Sequence, residues 1–154
     1  SSAAVATGSK GFHVVAPIAP SVDGQAIAAT TQKLATMLAA KHADALTTAF
    51  RVAERGHRVF VDWLRNRPGS TVVVPYSLRA RPNAACAVPL EWDEVDAFAP
   101  DAFTIADVDA LLARPDPLVD LAGGPGDPAS FVAAVDAAFA ASGLTLEHFD
   151  RFRS

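Results

Sequence analysis

The residues Arg58-Val59-Phe60-Val61-Asp62-Trp63-Leu64, then Asn66-Arg67-Pro68-Gly69-Ser70, then Thr71-Val72-Val73-Val74-Pro75-Tyr76-Ser77-Leu78-Arg79-Ala80-Arg81-Pro82 are the stretch on which the fold turns. Residues 58–64 and 71–78 are rich in β-branched and aromatic side chains, and the polar segment 66–70 between them is a turn by composition. The pair is expected to form an antiparallel hairpin. A carboxylate, Asp62, stands inside the first apolar run, where it is costly unless it is paired or binds a metal. Arg79 and Arg81 alternate along the second run, so they share one face of an extended segment.

Upstream, residues 12–18 read as a buried strand. Ser21-Val22-Asp23 make a helix start, and residues 25–42 carry Ile27, Leu34, Met37 and Leu38 near helical spacing. A short helix is expected over 44–55, ending at Gly56. Downstream, residues 84–88 are a further strand, and 89–98 include a helix start at Trp92. Thr104 caps a helix over 105–114 with Asp107 near its N-terminus. Residues 123–127 are a loop. Asp127 or Ser130 opens a helix that runs to Ser142 and stops at Gly143, and a last helix is expected over 145–152. The first ten residues are small and polar, with no strand assigned. This order predicts an α/β or α+β fold with a mixed or antiparallel sheet and flanking helices.

At 154 residues the chain suits one domain or a large part of one, and its 51% hydrophobic content argues against disorder. No apolar run is long enough to span a membrane, and no signal peptide is visible, so no membrane partner is expected. The single cysteine, Cys86, excludes an internal disulfide, and a reducing cytoplasmic location is the simple expectation. The net charge of −4 hides a strong asymmetry. Residues 51–81 hold seven arginines against Glu54 and Asp62, a balance of +5, whereas residues 91–154 stand at −10. Local field rather than net charge decides where a polyanion docks.

Three segments carry candidate chemistry. Thr7-Gly8-Ser9-Lys10-Gly11-Phe12-His13 joins glycines, hydroxyls and a lysine, a combination that could cradle an anion through backbone N–H groups. It is neither a P-loop nor a dinucleotide fingerprint, and a tight turn entering a strand with a half-buried histidine is the plainer reading. Asp62 is either paired with a neighbouring arginine or a ligand for a hard divalent ion such as Mg2+ or Mn2+. The arginines of Pro75–Pro82 either protect an exposed edge or bind phosphate bidentately.

Taken together, TGSKGFH, VFVDWLRN, VVPYSLRARP, PLEWDEV and DAFTI occur in an order that resembles the polymerase domain of bacterial DNA ligase D, in the archaeo-eukaryotic primase superfamily. The resemblance covers roughly residues 5–121 and is most specific over 58–94. It implies a primase-like half-domain: residues 1–154 would be the C-terminal half, with an Asp-x-Asp pair upstream. It implies nucleotide addition at DNA ends in bacterial non-homologous end joining, with NTP or dNTP, a primer 3′ end or double-strand break, and Mn2+ or Mg2+ as partners. A fused ligase module is a further implied partner. Thr7, Lys10 and His13 would contact the incoming nucleotide, with the Ser9 hydroxyl beside them. Asp62 would be the third metal-binding carboxylate, and Arg65 and Arg79 the arginines needed for catalysis. With one of three metal carboxylates present, the chain alone is expected to be inactive. The alternatives are a non-catalytic nucleotide- or nucleic-acid-binding module of the same fold, and an α/β domain with no nucleotide site.

Overall fold

The computed structural model describes residues 1–121 and 124–146. The expected last helix, over 145–152, lies largely outside the described residues. In chain order the elements are β1 (Ala3–Ala6), β2 (Phe12–Val15), α1 (Gly24–Lys41), β3 (Leu46–Thr47), β4 (Val59–Phe60), β5 (Val88–Leu90), α2 (Val108–Leu112), α3 (Pro117–Leu121) and α4 (Pro128–Ser142), with short 3-10 turns between several of them. Contacts divide the chain into two compact units. The first joins Ser1–Ala19 to Val72–Gly126, and the second joins Pro20–Thr71 to the segment from Asp127 onward.

The first unit is built on a three-stranded antiparallel sheet in the order β2-β1-β5. The register pairs Ala6 with both Phe12 and Val88, and Ala4 with both Val14 and Leu90. Side chains alternate across a strand, so Ala4, Ala6, Phe12, Val88 and Leu90 share a face. That face packs with Cys86, Leu111, Val95, Phe98 and Phe103 as one hydrophobic cluster. The rings of Phe98 and Phe103 lie 4.9 Å apart, centroid to centroid. The central strand, β1, is one element the sequence reading missed. Ala3-Ala4-Val5-Ala6 has little intrinsic β-propensity, yet all four residues are buried. Small side chains suit a strand flanked on both edges and covered on both faces, and their composition gives no local sign of it.

Around this sheet, short polar motifs start turns where the sequence predicts helices: the helix expected over 105–114 is a 3-10 turn at Ile105–Asp107 followed by the short α2, and the start expected at Trp92 is a single 3-10 turn. Thr104 and Asp107 form a reciprocal capping box ahead of a 3-10 turn that leads into α2. Glu91 and Glu94 do the same around Trp92, whose indole N–H donates to the Ser2 carbonyl at 2.8 Å. Arg114 binds Glu94 at 2.6 Å and lies over the Phe103 ring. Cys86 is free and buried, and burial pushes its thiol pKa up.

The second unit packs α1 against α4, with Lys33 paired to Asp136 at 2.7 Å. The buried positions of α1 are Ala28, Thr30 and Ala35, not the larger Leu38, which is partly exposed. Small residues let the helix lie close to its neighbours. The expected helix over 44–55 is instead β3, a loop and a 3-10 turn at Val52–Glu54. Arg55 explains part of this: its guanidinium donates to the Ala49 and Phe50 carbonyls and stacks over Phe60, holding the loop open.

The predicted hairpin of 58–64 with 71–78 does not form. β4 pairs in parallel with β3, Leu46 to Val59 and Thr47 to Phe60. Residues 76–79 run instead beside 85–87, through Tyr76 N–H to Ala87 O, Ala87 N–H to Ser77 O and Arg79 N–H to Ala85 O. The physical reason lies in residues 62–70. The Asp62 carboxylate accepts the Leu64 N–H, Asn66 donates to the Trp63 carbonyl, and Ser70 donates to the Leu64 carbonyl. These local side-chain bonds draw the segment into a 3-10 turn and compete with a ladder.

α4 begins as the sequence predicts. The Asp127 carboxylate accepts from the Ala129 and Ser130 amides and the Ser130 hydroxyl, and Gly143 closes the helix at φ +67°. These bonds, led by the Ser130 hydroxyl, lower the Asp127 pKa from the ordinary 3.8. The stabilisation is therefore present above the ordinary aspartate range and is lost as pH falls through the lowered value. Thermal melts between pH 5 and 2 should show the wild-type chain losing its advantage over Asp127→Ala as the pH drops. A gap between the two that is independent of pH would contradict this assignment. Among the described residues, no helix is long and apolar enough to cross a membrane.

Candidate functional site

The β1–β2 connection, residues 7–11, is the centre of the candidate site. The Thr7 amide and hydroxyl both donate to the Gly11 carbonyl, at 3.1 and 2.6 Å, and close the loop on itself. The Gly8 amide donates to Pro100 O at 2.8 Å, and Gly8 sits at φ +64°, a left-handed conformation that favours glycine. A Cβ at Gly8 would stand 2.7 Å from Arg79 Cγ and 3.0 Å from the Cys86 carbonyl carbon and oxygen. The aliphatic stem of Arg79 therefore crosses directly over the glycine. Arg81 reaches the same loop, where its guanidinium donates to the Ser9 hydroxyl at 2.7 Å. Lys10 is exposed at the loop tip. His13 pairs with Val5 in the sheet register, so it lies on the face opposite Phe12, and it is half-buried.

Thr7, Ser9, Lys10, His13 and Arg79 thus all belong to the first unit, and Ser9, Arg81, Gly8 and Arg79 are brought into contact. Three cationic side chains border one glycine turn, an arrangement suited to an anion with several oxygens. The backbone nest is smaller than the glycine pattern suggests. The Thr7 and Gly8 amides and the Thr7 hydroxyl proton are already committed inside the protein. A phosphate at this loop would be met mainly by side chains.

Asp62 and Arg65 belong to the second unit. Strand β4 ends at Phe60, so Asp62 is exposed rather than set in an apolar strand, and the burial cost that singled it out does not apply. One Asp62 oxygen accepts the Leu64 amide, and the other lies 3.4 Å from Arg65 Nε. Arg65 also donates to the Thr71 carbonyl at 3.4 Å. Among the described residues, no group of three or more His, Cys, Asp or Glu side chains could hold a metal ion. Asp62 offers a single carboxylate, partly engaged, so the described residues do not fit a Mg2+ or Mn2+ site by themselves.

Two participants gave no signal in the sequence. Pro100 supplies the carbonyl that pins Gly8, through a contact between residues far apart in the chain. Tyr76 adopts φ +63°, a conformation that bulky residues avoid.

Comparison with known proteins gives the family. The family model described as LigD, primase-polymerase domain, matches residues 1–118. A multifunctional non-homologous end joining protein LigD from Mycobacterium bovis is 30% identical over 116 residues, 75% of this chain and 15% of the relative. A bifunctional non-homologous end joining protein LigD from Bacillus subtilis is 28% identical over 124 residues, 79% of this chain and 20% of the relative. The solved polymerase domain from Mycobacterium tuberculosis ligase D in complex with DNA superposes with a TM-score of 0.71 at 30% identity, covering 80% of this chain and 44% of that one. The chain therefore spans less than half of that solved domain and a fifth or less of these curated relatives.

Proposed function

Because this chain belongs to the LigD primase-polymerase domain family, we propose that it binds the triphosphate of an NTP or dNTP and serves nucleotide addition at DNA ends in non-homologous end joining. The observation that carries this reading is the meeting of Arg79 and Arg81 with the Thr7–Gly11 loop, next to exposed Lys10. Three positive groups at a turn with little room for a side chain at Gly8 favour a compact polyanion over a neutral ligand. In this reading Lys10 and Arg79 contact phosphate, Ser9 is oriented by Arg81, and His13 borders the nucleotide. Thr7 chiefly shapes the loop, since its hydroxyl proton is spent on Gly11.

Asp62 and Arg65 are assigned to catalysis on the family resemblance, with Asp62 as one ligand of a Mg2+ or Mn2+ site. The bound ion would neutralise charge on the triphosphate. The remaining carboxylates would come from the part of the family domain that this sequence does not cover, and residues 1–154 would be one portion of such a domain. Nucleotidyl transfer is accordingly assigned to the whole domain. A DNA end is the proposed co-substrate, a ligase module a proposed companion, and the cytoplasm the proposed location.

Titrating ATP or dTTP into the 154-residue chain, with Lys10→Ala and Arg79→Ala as comparisons, tests the binding reading. Loss of one charged phosphate contact corresponds to roughly tenfold weaker binding or more. Affinity should also fall with added salt. Wild-type affinity in both variants would sink the reading. A metal-titrated primer-extension assay tests the second claim: extension by this chain alone would refute the assignment of essential ligands to other parts of the domain.

A further inference from the structure

We propose that the hydroxyl meeting the phosphate at the glycine loop is that of Ser9 rather than Thr7, and that Arg81 is the positioning residue that holds the Ser9 oxygen in place and strengthens its O–H as a donor. The inference rests on the reading of this loop as a triphosphate site and names which hydroxyl serves it.

The first observation concerns protons. A hydroxyl has one proton to donate and two lone pairs to accept with. Thr7 is buried and has given its proton to the Gly11 carbonyl at 2.6 Å. Ser9 stands the other way round. Its oxygen accepts from the Arg81 guanidinium at 2.7 Å, and among the described residues no acceptor takes its proton. Ser9 is only half-buried, next to exposed Lys10. Of the two hydroxyls on the loop, one is closed, and the other has a fixed oxygen and a proton to offer.

The second observation concerns charge. Among the described residues no carboxylate pairs with Arg81. Its positive charge is directed instead at a neutral oxygen. A hydrogen bond from a cation polarises the hydroxyl, and bonds in such a chain reinforce one another. The chain from guanidinium to hydroxyl to phosphate runs in one donor sense and ends on oxygens that accept.

The third observation is that both partners hang from braced backbone. Leu78 and Cys86 form an antiparallel bridge, and the Arg79 amide donates to Ala85 O at 2.7 Å. Beyond them the chain reverses over 81–84. The Arg81 amide donates to Arg79 O at 2.7 Å, and the Ala84 amide donates to Arg81 O at 2.9 Å. Ala84 takes φ +46°, a left-handed conformation that an L residue keeps only where its surroundings over-determine it. Here they do: Ala84 O accepts from the Ile105 amide at 3.3 Å, and Ala85 bridges to Thr104. On the other side, the Gly8 amide beside Ser9 is held by Pro100 O at 2.8 Å.

The test takes two readouts on the 154-residue chain. NMR of the Arg81 guanidinium protons in the cold reports on the pair without ligand, and ATP titration reports on its use. In the wild type these signals should be split by hindered rotation, and Ser9→Ala should collapse them to an average. Ser9→Ala should weaken ATP binding about tenfold and Arg81→Ala about fivefold. Because residues that act through one bond are not additive, adding Arg81→Ala to Ser9→Ala should cost roughly twofold or less. Averaged Arg81 signals in the wild type would overturn the pair. Wild-type affinity in Ser9→Ala, with Lys10→Ala weakened, would overturn the Ser9 contact. Losses that multiply in the double variant would make Arg81 a phosphate contact of its own and end its positioning role. A larger affinity loss in Thr7→Val than in Ser9→Ala, at equal melting temperatures, would return the contact to Thr7. Wild-type affinity in Lys10→Ala and Arg79→Ala as well as in Ser9→Ala would instead defeat the phosphate reading of the loop, and the Arg81 signals would still decide whether the pair exists.

Discussion

Replacing Gly8 with alanine should unfold the chain more readily and weaken ATP binding, whereas Gly11→Ala should be tolerated. Two costs add at Gly8. An L side chain at φ +64° is strained by roughly 1–2 kcal/mol. The new Cβ would also press on Arg79 Cγ at 2.7 Å and on the Cys86 carbonyl group at 3.0 Å. The arginine stem can swing aside, but only by leaving the loop it is proposed to serve. The Cys86 backbone cannot yield easily, because its amide is held by Phe103 O at 2.8 Å and its neighbours lie in the buried core. Forced overpacking of this kind adds about 1–3 kcal/mol. The total is a loss of about 3 kcal/mol, which at this chain length lowers the melting temperature by roughly 10 °C. At Gly11 an added Cβ meets nothing within 4 Å, and its φ is not left-handed. Calorimetry on the two variants decides the matter: equal melting temperatures would show that the crossing of Arg79 over Gly8 is not as described.

Leu90→Ala should be at least as damaging to the fold. Leu90 is fully buried on β5 and is the largest fully buried side chain among the described residues. Its partners in the cluster include Ala4 and Ala6, with Val88 and Cys86 close by. A core this rich in small residues gains much of its apolar contact from a few large ones. Alanines on a paired central strand cannot move in to fill a space. The cavity should therefore stay open, and the cost should fall near the middle of the usual range of about 2–5 kcal/mol. Chemical denaturation should show a lower midpoint with the same slope. A cost below about 1 kcal/mol would mean that the cluster can collapse and that the sheet is less rigid than its pairing implies. Arg79→Ala gives a contrast, since it should weaken ATP binding with little change in stability.

The sequence alone was enough to place elements whose signals are local. The Asp127 cap, the helix to Ser142 and the Gly143 stop all depend on bonds within four residues, as does the Thr104–Asp107 capping box. The order of motifs from Thr7 to Ile105 was enough to reach the family, and the family implies the fold class. Other features were beyond it. Ala3–Ala6 carries no strand signal in its own residues, because its place at the centre of the sheet comes from neighbours on both sides. The runs 58–64 and 71–78 each looked like half of a hairpin. Each instead found a partner elsewhere, since pairing depends on competing long-range contacts that periodicity cannot rank.

The candidate site divides in the same way. Sequence identified Ser9, Lys10 and Arg79 as chemically apt groups, but not that Arg79 lies across Gly8 or that Arg81 holds Ser9. It drew attention to Asp62 through an assumed burial that the short β4 removes. Residue type and spacing determine which groups are available for chemistry. Which of them meet, and whether a hydroxyl such as that of Thr7 is still free to donate to a ligand, is decided only once the backbone has closed around them. The reason is that a hydrogen-bond donor already spent inside the fold cannot be offered outside it.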